Sequence, residues 1–311
     1  MLISASYRTD IPAFYGEWFV NRLRAGFCRV VNPYGGRPSR VSLRPEHVDG
    51  FVFWTKNLSP FLPCLAEVRE RGFPFVVQYT INGYPRALEY AVADPDKSVE
   101  HARRIAGEYG PRVVVWRYDT VVFSSATPRD FHLRNFERLA AGLAGATDEV
   151  VVSFAWIYRK TRTNMDAAAA LFGFAWEDPG DGEKMSLARD LAACARAHGM
   201  QLTVCSQARY LQPGIEAARC IDAARMTEVA GRPVRARLKG NRPECACHES
   251  RDIGEYDTCP HGCVYCYAVR TRALARRRYR EHDPAGEFLC RPPQSTLSST
   301  IFSWNPPPGD S

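Results

Sequence analysis

Three cysteines, Cys259, Cys263 and Cys266, stand at CxxxCxxC spacing in the stretch CPHGCVYCY. Structural zinc takes four protein ligands, and an iron–sulfur cube usually takes four cysteines. Three thiolates on one tight loop therefore leave one iron of a cube without a protein ligand, and an open iron can chelate a small molecule through an amine and a carboxylate. Four more cysteines are candidates as ligands: Cys205, Cys220 and the CxC pair Cys245 and Cys247. Together they can hold an auxiliary iron–sulfur cluster or a zinc. The alternative is that Cys205 and Cys220 are simply buried. Cys28, Cys64 and Cys194 lie among strand-like or helix-like residues and read as small apolar groups of the core.

The elements that must carry these residues show in the apolar pattern. Short β-branched or aromatic runs at 2–6, 50–55, 73–80, 112–119, 149–157 and 201–206 read as strands buried on both faces. Helix-like segments at 13–26, 58–72, 97–110, 129–146 and 183–199 separate them, several ending in Gly. Such alternation argues for βα units and a parallel sheet. No GxGxxG follows the first strand, so a βα barrel or part-barrel is expected rather than an open dinucleotide-binding sheet. Barrel strands present their carboxyl ends on one face. Polar groups accumulate there: Ser4, Ser6, Arg8, Asp10, Thr55, Lys56, Gln78, Tyr79, Arg117, Asp119, Ser153 and Cys205. Arg8, Lys56 and Arg117 are three cations expected at one mouth, suited to a carboxylate or phosphate. Asp119 is expected to orient one of them or to bind a ribose hydroxyl. Any one of these residues, Asp10 above all, can instead be a cap or loop residue.

The motifs ISASYRTDIPAFYGEWF, FWTKN, WRYD and DIGEYDTCPHGCVYCYA resemble the DUF1848 family over most of the chain. Within them the three cysteines, with Tyr265 as the aromatic before the third, resemble the cluster motif of radical SAM enzymes. What that resemblance implies is specific. Cys259, Cys263 and Cys266 would hold a [4Fe–4S] cluster whose fourth iron binds S-adenosylmethionine (SAM). Its reductive cleavage to a 5′-deoxyadenosyl radical would start hydrogen abstraction from a small-molecule or peptide substrate, anionic if the strand-end cations meet it. A flavodoxin- or ferredoxin-type reductant would supply the electron. Tyr265 would lie near the adenine; Ser6, Thr55 and Tyr79 are cofactor-binding candidates by position, and Arg8, Asp10, Lys56, Arg117 and Asp119 are the catalytic candidates. The family places its cysteines early, after the first barrel strand. Here they come late, which a circular permutation reconciles: residues 253–258 would be the strand before the cluster loop, and 2–6 the next strand of the barrel. Chain ends that lie close together make such permutation tolerable.

The expected organisation is 1–206 as the βα units, 207–252 as an irregular cysteine-bearing segment, 253–282 as the cluster-binding strand, loop and helix, and 283–311 as an extended tail. The chain has 311 residues, 45% of them hydrophobic, which suffices for a sizeable core. Eleven cysteines without a secretory leader point to metal or catalysis and a cytoplasmic setting rather than to disulfides. No apolar run approaches a membrane span. The net charge of +7, much of it in the Arg-rich segment 270–280, leaves open a zinc-stabilised nucleic-acid-binding protein as the alternative function. A cluster-bearing electron carrier without SAM is a third reading, which the open three-cysteine site disfavours.

Overall fold

The computed structural model describes residues 1–33 and 37–292. Its strands are, in chain order, β1 (Leu2–Ala5), β2 (Phe27–Val30), β3 (Ser39–Ser42), β4 (Gly50–Thr55), β5 (Phe75–Thr80), β6 (Val114–Val121), β7 (Phe123–Ser124), β8 (Glu149–Phe154), β9 (Trp176–Glu177), β10 (Gln201–Val204), β11 (Glu216–Ala217) and β12 (Ser250–Asp252). The helices are α1 (Ile11–Phe14), α2 (Gly16–Ala25), α3 (Leu62–Glu70), α4 (Pro95–Tyr109), α5 (Arg129–Leu143), α6 (Arg159–Phe172), α7 (Asp181–Ala197), α8 (Ala223–Ala230) and α9 (Arg272–Arg280). Eight strands form one sheet in the order β11-β10-β8-β6-β5-β4-β1-β12, every neighbouring pair parallel. The sheet is open at β11 and β12, an arc consistent with a part-barrel.

Strand periodicity divides the side chains between two cores. Ile3, Phe51, Phe53, Phe75, Val77, Val114, Trp116, Val150 and Val152 belong to the larger core, which also holds the buried faces of α2 to α5 and α7. The alternate residues Leu2, Val52, Val76, Val115 and Val151 face the other way. There they meet Cys220, Ile221, Ala223, Met226 and Val234, so the segment between β11 and β12 fills the inner face of the arc. The approach is close enough that a Cβ on Gly50 would come within 2.4 Å of the Met226 sulfur.

The six main strand expectations hold in position. Several others need correction. Residues 253–258 are not a strand: the edge strand is β12, three residues earlier. Asp257 takes φ +61° and Gly254 lies against Ser6, so this stretch is the turn out of the sheet. The chain after β12 does return beside β1, as expected, with Ser4 paired to Asp252. Segment 207–252 supplies both sheet edges and α8, and is thus integral to the sheet. Helix α6 is an addition. Residues 283–290 pack on α2, with Trp18 Nε1, Asn21 Nδ2 and Arg22 donating to the carbonyls of Gly286, Pro284 and Ala285. Most of the expected tail, 293–311, lies outside the described residues.

Candidate functional site

The loop that carries Cys259, Cys263 and Cys266 leaves the carboxyl end of β12 and runs to α9, whose first turn is capped by the Thr271 hydroxyl. Its backbone docks along 88–91. Val264 N–H donates to Leu88 O at 3.1 Å, Ala91 N–H donates to His261 O at 2.9 Å, and Cys263 bridges Glu89. Tyr15 OH holds the Thr258 carbonyl at 2.7 Å. Gly262, at φ +76°, makes the sharp turn between the first two cysteines, a conformation other residues resist.

Asp10 ties three elements together. Its carboxylate accepts from Ala13 N–H at 2.9 Å, as the cap of α1, and from Lys56 N–H at 2.7 Å. It also lies 2.8 Å from His261 Nε2. Asp10 thus takes the cap role that its place before α1 also allowed. Its oxygens are engaged in fixing the strand ends to the cysteine loop, as a buried carboxylate requires.

The three thiols are partly buried and line one cavity of about 230 Å³, lined on another side by Leu171 and Phe172 of α6. Burial pushes all three thiols up. Lys56 works against that shift at Cys263, and N–H groups of Ala268 and Val269 work against it at Cys266. Zinc bound by thiolates at about 2.3 Å would hold the sulfurs about 3.8 Å apart. Among the described residues, the only Cys/His/Asp/Glu trio with all ligand atoms within 4.8 Å of one another is elsewhere, at Glu137, Cys194 and His198. Cys259, Cys263 and Cys266 share the cavity without forming such a compact trio.

Of the residues expected at the site, only these cysteines line that cavity. The others form networks beside it. Lys56 Nζ donates to Glu89 Oε1 at 2.7 Å, Asn82 Nδ2 donates to the same oxygen at 2.9 Å, and Tyr265 OH also donates to it. Burial would push Glu89 up, but Lys56 and these hydrogen bonds hold it below the usual carboxylate range. Burial would likewise depress Lys56, and Glu89 and Cys263 more than offset it. The pair is ionic at neutral pH. Tyr265, expected at the adenine, is instead buried against Tyr84 and holds Glu89.

From Asn82 the network continues to the next strand, because Asp119 N–H donates to Asn82 Oδ1 at 2.9 Å. Arg117 clasps Asp119 through Nε at 3.0 Å and through Nη2. It also reaches Gln78 Oε1 and the Cys220 sulfur, both at 3.0 Å. Asp119 takes a further hydrogen bond from Ser153. Asp252 is the third anion, accepting from Ser4 at 2.8 Å, Ser6 at 2.7 Å and the N–H of Gly254 at 2.9 Å. Ser6 is thereby engaged within the protein. Arg8 lies 3.8 Å from Asp252, and its Nε is buried without a hydrogen-bond partner. The expectation of three cations waiting for an anion narrows to one: Lys56 and Arg117 have close partners, and Arg8 retains a donor.

Strand parity corrects two more residues. Thr55 and Tyr79 are paired neighbours. They share the parity of Phe51, Phe53, Phe75 and Val77 and so face the helices. Tyr79 is fully buried with its hydroxyl on Leu58 N–H, and Thr55 Oγ1 accepts from Asn57 N–H.

Two members of the second cysteine set are in direct contact. Cys220 and Cys205 sulfurs are 3.6 Å apart. Cys247 Sγ accepts from Ile221 N–H at 3.4 Å and is influenced by both Cys220 and Cys245. Arg117 touches Cys220, and Arg242 touches Cys205 at 3.5 Å. The four thiols do not form a compact nest. Glu89, Asn82, His261, Asp252 and Arg242 were not legible as site residues. Each is a lone polar residue brought in by the fold, and only Asp252, at the end of a strand three residues long, followed the strand-end pattern used for the rest.

A family model described as a domain of unknown function, DUF1848, matches residues 2–268 and so takes in both cysteine sets. No curated protein matches the chain.

Proposed function

The chain belongs to the DUF1848 family, and we propose that it is a radical SAM-type enzyme on a circularly permuted part-barrel. The observation that carries this reading is the cysteine loop. It leaves the strand parallel to β1 and presents three thiols at CxxxCxxC spacing to one cavity. In this reading Cys259, Cys263 and Cys266 hold a [4Fe–4S] cluster. When bound, the cluster supplies the electron that cleaves SAM to the 5′-deoxyadenosyl radical.

The chain's own groups have separable tasks. The N–H groups aimed at Cys266 and the Lys56 ammonium beside Cys263 favour thiolate over thiol. Glu89, held by Lys56, Asn82 and Tyr265, fixes that ammonium. Asp10 and His261 fix the loop. Leu171 and Phe172 supply an apolar wall to the cavity. Arg8, with its unpartnered donor, is the contact for a carboxylate of SAM or substrate. Cys205, Cys220, Cys245 and Cys247 form an auxiliary metal site, a second cluster or a zinc, with Arg117 and Arg242 offsetting its negative charge. The substrate is a small molecule or peptide, and a flavodoxin- or ferredoxin-type protein is the reductant.

The nucleic-acid alternative is less favoured. Arg270 and Arg278 pair with Asp257 and Glu255, and Arg272 covers the Tyr90 ring at 3.7 Å, so these cations clamp the cysteine loop. No helix among the described residues is long and apolar enough to cross a membrane, and a cytoplasmic setting is part of this proposal. The test is metal analysis of anaerobically reconstituted protein. The Cys259→Ala/Cys263→Ala/Cys266→Ala variant should lose about four irons and all 5′-deoxyadenosine formation under dithionite. Wild-type cleavage by that variant would overturn the assignment.

A further inference from the structure

The packed helices α5 and α7 bring three donors of different chemistry together, none of them from either cysteine set. Cys194 lies in the last turn of α7 and His198 is its C-cap residue. Four positions apart on a helix, the two side chains fall on one face. Glu137 comes from the facing helix α5. Its Oε2 accepts from the Cys194 thiol at 2.8 Å, and its Oε1 lies 2.8 Å from His198 Nε2. The three ligand atoms all lie within 4.8 Å of one another, and no other Cys/His/Asp/Glu trio among the described residues does so.

We propose that Glu137, Cys194 and His198 form a binding site for one divalent transition-metal ion of the zinc class. The donor mix is the basis for the choice of metal. Thiolate, imidazole and carboxylate together suit zinc, whereas calcium and magnesium take oxygen donors alone. The geometry fits as well. Zinc bonds of about 2.0–2.3 Å to O, N and S set tetrahedral ligand atoms roughly 3.3–3.7 Å apart. The sulfur–oxygen and nitrogen–oxygen contacts need only open by less than an ångström to admit the ion. Three protein ligands leave a fourth position for water, and the site is reachable, since the Glu137 side chain is 58% exposed. On binding, the thiol proton leaves to solvent and the ion links α5 to α7 near the C-terminus of α7. The hydrogen-bonded trio would then be the metal-free form of the site.

The probe is Zn²⁺ added to the full chain, competed with a chromophoric chelator. The wild-type protein should bind one equivalent more than the Cys194→Ala and His198→Ala variants. Glu137→Gln should bind that equivalent at least tenfold more weakly. Zinc should raise the thermal midpoint of wild type more than that of either deletion variant. The loop variant lacking Cys259, Cys263 and Cys266 should keep the extra equivalent, so this outcome is independent of the proposed enzymatic function. A second measurement needs no variant: peptide mapping after iodoacetamide treatment should find Cys194 protected by Zn²⁺. Equal stoichiometry and affinity in wild type and the two deletion variants, or alkylation of Cys194 unchanged by zinc, would overturn the site.

Discussion

The two cysteine sets differ in a way that separates an open site from a closed one. Cys259, Cys263 and Cys266 come from eight consecutive residues and line a cavity. Cys205, Cys220 and the pair Cys245 and Cys247 come from three places spread over 43 positions and gather on the inner face of the sheet, touched by two guanidinium groups. The first set can be read from spacing alone; the second exists only because the segment between β11 and β12 folds back across the arc. Under the proposed function the first set would leave a position open to SAM, whereas the second would enclose its metal within the protein.

Between the two sets runs one polar network, from Lys56 through Glu89, Asn82 and Asp119 to Arg117 and Cys220. Breaking it at the Lys56 end should give the largest stability loss. Lys56→Met leaves Glu89 buried and unpaired, which costs about 3–5 kcal/mol, measurable as a fall in the denaturant midpoint with an unchanged slope. At the other end, Arg117→Ala leaves Asp119 to Ser153 alone. It should cost about 2–4 kcal/mol by the same mechanism, softened because Asp119 is 21% exposed. If the two sets are separate, this change should reduce metal retained by the second set and leave iron at the first unchanged. Loss of both metals together would merge the sites.

The pH dependence of Glu89 gives a smaller effect with a defined sign. Its carboxyl is held below its usual value. The stability it contributes is full above the unfolded value of about 4.3 and is lost as pH falls through the folded one. The stability gap between wild type and Glu89→Gln should therefore close as pH drops below about 4. A gap that stays constant down to pH 2 would mean the pair is not ionic.

The mildest distinction lies within the CxC pair. A hydrogen bond from Cys247 draws Cys245 down to about 6, whereas Cys247 is pushed up to about 12 by its bond to Cys245 and by burial, despite a favourable contact with Cys220. In metal-free protein at pH 7, Cys245 should be the first of the four to alkylate. Equal rates at Cys245 and Cys247 would remove the asymmetry.

Much of this arrangement was legible in sequence because parallel strands buried on both faces leave continuous apolar runs. The chemistry at their ends was legible only in part. Thr55 and Tyr79 were placed at the cofactor by nearness to strand ends, yet alternation from Phe51 and Phe75 already sends them to the helices. Helix α6 was invisible because it buries only Thr161, Met165 and Ala168, too weak an apolar stripe. Residues 253–258 looked like a strand, but Gly254 is needed where a Cβ would come within 2.1 Å of Ser6 Oγ. The true edge strand, Ser250–Asp252, is polar because Asp252 faces the hydroxyls of Ser4 and Ser6. Glu89 carried no local signal at all; only the docking of the cysteine loop on 88–91 reveals it.

The central claim, that the loop cysteines hold an open cluster which takes SAM, is tested most directly by electron paramagnetic resonance of the dithionite-reduced, iron-reconstituted protein with and without SAM. The account predicts a cluster signal whose g values shift on adding SAM. That shift should persist in the Cys245→Ala/Cys247→Ala variant and vanish in Cys263→Ala. A reduced-cluster spectrum that is the same with and without SAM in the wild-type protein would contradict it.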